Sequence, residues 1–251
     1  MMIELIKPVM FSNIREVEEW IDINFNSIST SNLEKTKKLL EPVCTNEQLI
    51  ILLKSLLNDQ EKLAEIASKS YTHANGFDKI VLIENYEVGY RLRLHIWRPD
   101  HVLFHAEHVH NHPWDFSSKV LTGALTFKTY KLNELFGEEL YHYRTLPLPS
   151  GEVGHQLKDL GRENLNWVFD ATIEAGSFYT LSKEVIHRVI KESDRLTSTI
   201  MLQTPIEGIV SDLFTEEPYK DEKEFVHKFY DVNTLVNLLH VMIDELSKNT
   251  K

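Results

Sequence analysis

The segment His110-Asn111-His112-Pro113-Trp114-Asp115-Phe116-Ser117-Ser118-Lys119-Val120-Leu121-Thr122-Gly123 closes the richest run of histidines in the chain. Six of the twelve histidines fall between His95 and His112. Side chains on a strand repeat their direction every second residue, so a His-x-His pair aims both rings to one face. Imidazole is the commonest protein ligand for first-row transition metals. A third histidine, His187, lies far downstream in a stretch that also reads as strand. The arrangement predicts a mononuclear metal site inside a β-barrel, with His110, His112 and His187 as its ligands.

Periodicity around this segment supports a β core. Lys79–Glu84 and Tyr90–Trp97 alternate with period two, and the second places Arg91, Arg93 and His95 on one face. Further strands are expected at Val102–His110, Ser117–Leu132, Leu140–Leu146, Trp167–Ile173, Ser177–Leu181, Val185–Glu192 and Ser198–Gln203. Strands in succession without intervening helices indicate a sandwich or barrel rather than an α/β sheet. The first seventy residues read as helical. Asn13-x-x-Glu16, Ser31-x-x-Glu34 and Thr45-x-x-Gln48 resemble capping boxes, and Thr45–Ser68 reads as one helix with a leucine-rich face. Glu222–Ser247 reads as two helices interrupted near Asp231. The expected organisation is a helical region at 1–72, a β-barrel at 73–205 and a helical extension at 206–251.

The central region resembles the cupin family of small jelly-roll barrels. Its first motif is written Gly-x5-His-x-His-x(3–4)-Glu-x6-Gly. Here His110-x-His112, three residues, Phe116, six residues and Gly123 reproduce that spacing, with Phe116 in place of the glutamate. The alternative pair, His108 and His110, puts Asp115 at the acidic position but needs seven residues before Gly123. The second motif, Gly-x5-Pro-x-Gly-x2-His-x3-Asn, is matched in spacing by Gly176, Ser182, Glu184, His187 and Lys191, with only the glycine and histidine retained.

The resemblance implies a mainly β fold: a cupin jelly-roll barrel with α-helical N-terminal and C-terminal extensions. Without the glutamate, three neutral histidines remain, as in the thiol dioxygenases, which are also cupins. The implied cofactor is Fe(II), with zinc, nickel or manganese as alternatives. The implied activity is a dioxygenase reaction between O2 and a small anionic metabolite, thiol- or amino-acid-like.

Arg93 is a candidate clamp for a substrate carboxylate through its planar fork. The competing enzymatic reading is a metal-dependent isomerase, epimerase or lyase, which needs a base; Tyr130, Glu184 and His95 are its candidates. The competing non-enzymatic reading is a ligand-binding cupin whose pocket is filled by Trp97, Trp114 or Phe116. His95, His105 and His108 either line the barrel or orient ligand rings. His142, His155, His227 and His240 read as structural, Arg188 as pointing away from the site, and Asp115 as a carboxylate supporting the site or a turn residue.

Composition narrows the alternatives. At 251 residues with 42% hydrophobic and 26% charged residues, the chain has the make-up of a globular protein. A net charge of −11 and no basic stripe argue against a nucleic-acid partner. No run approaches the roughly eighteen apolar residues of a membrane span. A single cysteine, Cys44, and no signal-like N-terminus lead to a cytoplasmic expectation. Neither a phosphate-binding loop nor a nucleophile elbow is present. A homodimer is compatible with the helical extensions.

Overall fold

The computed structural model describes residues 9–28, 30–99, 107–191, 194–207, 210–219 and 224–248. His105 and most of the expected Val102–His110 strand lie outside them. Four helices come first: α1 (Ile14–Phe25), α2 (Asn32–Leu40), α3 (Asn46–Leu56) and α4 (Gln60–Ala67). The three capping residues act as expected, since Asn13, Ser31 and Thr45 accept from the amides of Glu16, Glu34 and Gln48. The single helix expected over Thr45–Ser68 is instead two. Asp59 caps a new start by accepting from the Lys62 amide at 3.0 Å, which ends α3 and re-aims the chain.

Thirteen strands follow among the described residues, all paired antiparallel. The first sheet is built from β1 (Tyr71–Thr72), β2 (Asp78–Glu84), β3 (Arg91–Trp97), β5 (Phe116–Thr122), β9 (Phe178–Leu181) and β11 (Thr197–Gln203), in the order β1-β2-β3-β11-β5-β9. The second contains β4 (Val109–His110), β6 (Ala124–Asn133), β7 (Glu138–Leu146), β8 (Gly154–Glu174), β10 (Ile186–Lys191), β12 (Ser211–Thr215) and β13 (Glu224–Val226). Its order is β13-β8-β6-β10-β4-β12-β7, and the long β8 also pairs with β7. The fold is mainly β, two antiparallel sheets flanked by helices from both ends of the chain.

Alternation assigns the two faces of the first sheet. Ile80, Leu82, Leu92, Leu94, Ile96, Ile200 and Leu202 point outward into one core shared with the helices. Each such fully buried side chain contributes about 1.5–3 kcal/mol relative to exposure. The last helix, α5 (Val232–Lys248), adds Leu235, Leu239, Met242 and Leu246 to the same layer. The opposite face carries Arg93, His95 and Trp97 toward the barrel interior, where Phe77, Phe116, Phe127, Val189 and Met201 form a second apolar cluster.

The chain after Pro205 differs from its expected helical reading. It contributes β12 and β13 to the second sheet before a single terminal helix. Asp231 marks the start of α5 rather than a break between two helices, accepting from the Thr234 amide at 2.7 Å. Among the described residues no helix is long and apolar enough to cross a membrane.

Candidate functional site

His110 and His187 are direct register partners on β4 and β10, so their rings meet by strand pairing alone. His112 follows two residues after His110 and returns to the same side. Ring centroids lie 4.7 Å apart for His110 and His112, 4.6 Å for His110 and His187, and 5.1 Å for His112 and His187. One ligand nitrogen from each ring falls within 4.8 Å of the others.

Two of the rings are held in a defined tautomer. Nδ1 of His110 is 2.8 Å from the His108 carbonyl, and Nδ1 of His187 is 3.0 Å from the Val185 carbonyl. A carbonyl only accepts, so both Nδ1 atoms carry the proton and both Nε2 lone pairs are left free. Burial holds His110 at about 4 and His187 at about 3, and pushes His112 well below the usual histidine range. Three neutral imidazoles, one buried and two part-buried, with a nitrogen from each within 4.8 Å of the others, fit a divalent first-row metal ion.

Phe116 occupies the position of the motif's acidic residue. It is 3% exposed and edge-on to His112 at 5.5 Å, so it packs against the cluster and contributes no donor atom. A carboxylate comes from elsewhere: Oε2 of Glu107 lies 4.0 Å from Nε2 of His110. Burial raises Glu107 to about 8, an effect partly offset by a hydrogen bond from Trp97.

The cluster opens on a cavity of about 480 Å³, ample for a small metabolite. Arg93 lines it, 3% exposed, with its guanidinium carbon 5.1 Å from the Trp114 ring centroid. Trp114 is also stacked on His112 at 5.1 Å, so one indole adjoins both the arginine and the imidazole cluster. Burial lowers Arg93 to about 9. His95 lines the same cavity, and burial pushes it well below the usual range.

Other sequence-predicted residues lie elsewhere. Tyr130 does not line the cavity. Thr129 is the partner of His187, so Tyr130, one residue on and paired with Ile186, faces the opposite side. There it packs among Val109, Leu140, Leu165, Ile186 and Phe214. Glu184 is exposed and outside the cavity. Asp115 accepts from the Lys183 amide at 2.9 Å and from Asn32 at 3.3 Å, which is a turn-fixing role. Arg188 pairs with Glu216 at 3.1 Å, on the other side of β10 from His187. His142 bonds Asp212 at 3.1 Å and stacks on Phe214, whereas His240 is exposed on α5.

Sequence reasoning missed Lys79, Glu107 and His73, and it read His155 and His227 as structural; all five line the cavity. Lys79 carried a usable signal, because Ile80 and Leu82 on the outer face force Lys79 inward by alternation. The others had none, since they come from segments outside the motif.

No protein-family model matches the sequence, and no curated protein sequence matches it. Among solved structures, a hydroquinone 1,2-dioxygenase in complex with Cd2+ and 4-hydroxybenzonitrile is similar at TM-score 0.31 and 16% identity, over 57% of this chain and 70% of that one. Two oxalate decarboxylase variants from Bacillus subtilis are similar at TM-score 0.33 and 8% identity, over 55% of this chain and 28% of theirs. Likenesses at these scores carry no argument. The structure itself brings three imidazoles, placed at the spacing of the first motif, together at one of two antiparallel sheets as a candidate metal site.

Proposed function

We propose that this protein is a mononuclear non-haem Fe(II) oxygenase acting on a small anionic substrate, with His110, His112 and His187 as metal ligands. The observation that carries the reading is the set of three neutral imidazoles, two with Nδ1 tied to backbone carbonyls, opening on a cavity of about 480 Å³. His110, His112 and His187 would hold the ion, and a ferrous ion bound there would supply the O2-activating chemistry.

The chain's own residues do the remaining work. Arg93 holds an anionic group of the substrate and fixes its orientation toward the cluster. Trp97, Phe127 and Tyr179 line the cavity and exclude water, which strengthens every charge interaction inside it. Phe116 keeps an anionic donor out of the motif's acidic position, so the ligand set stays neutral and favours a negatively charged guest.

Glu107 supports a second reading, a metal-dependent isomerase or lyase. A buried carboxyl 4.0 Å from His110 is placed to hold or release a proton beside the reacting centre. It replaces Tyr130 and Glu184 as the candidate base, while His95 remains in the cavity. Trp97, Trp114 and Phe116 line a cavity of about 480 Å³ rather than filling it, and such a space suits a catalytic and a ligand-binding protein alike.

The test is metal analysis of protein purified without added metal, followed by O2 uptake with thiol, amino-acid and other anionic substrates. Iron near one per chain and substrate-dependent uptake are expected. Tightly held stoichiometric zinc with no uptake overturns the oxygenase reading, and anaerobic turnover establishes the second one.

A further inference from the structure

We propose that the cavity wall formed by β2 and β3 is a subsite for a doubly negative group on the substrate, a phosphate ester or a dicarboxylate. The proposal deepens the reading of the metal centre and rests on it for the word substrate. It stands on two cations on adjacent strands of the cavity wall, Arg93 buried and Lys79 half-buried, neither of them in an ion pair among the described residues.

The placement follows from register. Tyr71 pairs with Lys79, Lys79 with His95, and Val81 with Arg93. Lys79 and Arg93 are therefore diagonal neighbours on the cavity face of adjacent strands, within reach of one guest. Nζ of Lys79 reaches the Tyr71 hydroxyl at 3.0 Å and lies 5.2 Å from its ring centroid. It has no ion pair among the described residues. Arg93 has none either, and its Nε is buried without a hydrogen-bond partner. Arg91, two residues away, shows the contrast: it is paired with Glu84.

Among the described residues, the two carboxyl groups that line the cavity are placed elsewhere. Glu107 stands beside His110, and Asp212 is engaged by His142 and Arg144. Further donors point the same way, since Nε2 of His95 and Nε1 of Trp114 are buried without partners. A buried cation left uncompensated is strongly unfavourable, and a second one beside it doubles the demand for negative charge. Burial lowers both Lys79 and Arg93 from their ordinary values, helped at Lys79 by the charges of Arg93 and Arg91 and at Arg93 by that of Arg91, with Glu84 offsetting part of the effect; an entering dianion acts in the opposite sense. Because Trp114 adjoins both Arg93 and His112, a group seated on this wall is one indole from the metal centre. The substrate is accordingly short.

The experiment is calorimetric titration of the full chain with inorganic phosphate, malonate and acetate at neutral pH, with metal content measured on each preparation. At least one dianion should bind about tenfold or more tightly than acetate. Whichever of phosphate and malonate is tighter identifies the headgroup. Lys79→Met should abolish the preference and Lys79→Arg should retain it, with circular-dichroism melts confirming that both variants fold. His112→Ala should lose metal yet keep dianion binding. Equal affinity for acetate and both dianions overturns the proposal, as does a preference that survives Lys79→Met. Dianion binding lost in His112→Ala also overturns it, because the anion was then sitting on the metal. A wild-type protein without metal that still prefers dianions leaves the subsite standing and removes the oxygenase reading alone.

Discussion

Replacing Arg93 by methionine should make the protein more stable while removing its capacity to hold an anion. Arg93 is 3% exposed, has no ion pair among the described residues, and carries an unpartnered Nε. Burial lowers it from the ordinary guanidinium range to about 9, a difference worth about 5 kcal/mol of strain on the charged form. The sign follows from the lowered folded-state value. The stability lost to this group is fully in force below about pH 9 and is recovered only as pH rises above that toward the ordinary guanidinium range. Methionine has similar length and carries no charge, so it removes that cost, but it forfeits the contact with Trp114, worth about 1–2 kcal/mol. The net gain is about 3 kcal/mol, which for a chain of this size raises Tm by about 6–12 °C. The assay is thermal unfolding of both proteins in a zwitterionic buffer free of phosphate and carboxylates. Adding malonate should lift the wild type toward the variant and leave the variant unmoved. An Arg93→Met protein that melts at or below the wild type refutes the reasoning, since the arginine would then have a partner inside the fold.

Four further outcomes are expected. Metal at about a hundredfold above Kd should stabilise the wild type by about 2.7 kcal/mol and His112→Ala not at all, in paired melts with and without metal. His142→Ala should keep its metal but lose about 1–3 kcal/mol, because it breaks the bond to Asp212 and the stacking on Phe214. Because burial holds His110 at about 4 and His187 at about 3, protons should compete for these nitrogens only as pH falls toward those values. Metal per chain after equilibrium dialysis should therefore persist well below pH 6.5, and release centred there would contradict the buried geometry. Gly123→Ala should lower Tm, because φ is +66° and the added Cβ would sit 2.3 Å from Oγ1 of Thr197, a strain of about 1–3 kcal/mol.

The parts of the molecule that were legible in the sequence are those fixed by local spacing. Asn13, Ser31 and Thr45 declared helix starts because a side-chain oxygen three residues before a free amide has little else to do. The convergence of His110, His112 and His187 was legible because two motif spacings bracket two neighbouring strands. The inward face of β3 was legible from alternation, which brought Arg93 to the cavity. Tyr130 was misplaced because its face depends on the pairing of β6 with β10, and pairing is set by partners far away in the chain. β12 and β13 were missed because short strands beside a strongly helical pattern carry too few residues to show a period. Glu107, His73 and the cavity-lining roles of His155 and His227 were hidden for the same non-local reason.

The order of strands in the first sheet also bears on when the site can exist during synthesis. β11, emerging last of its neighbours, is inserted between β3 and β5 and is hydrogen-bonded to both. Until residue 203 has left the ribosome the wall carrying Arg93 lacks its central support, and His110 meets its partner only once His187 has been made. Such long-range closure is slow. A nascent chain that stops short of His187 therefore offers scattered histidines rather than a converged cluster, and any metal the cluster takes must enter after that residue has emerged.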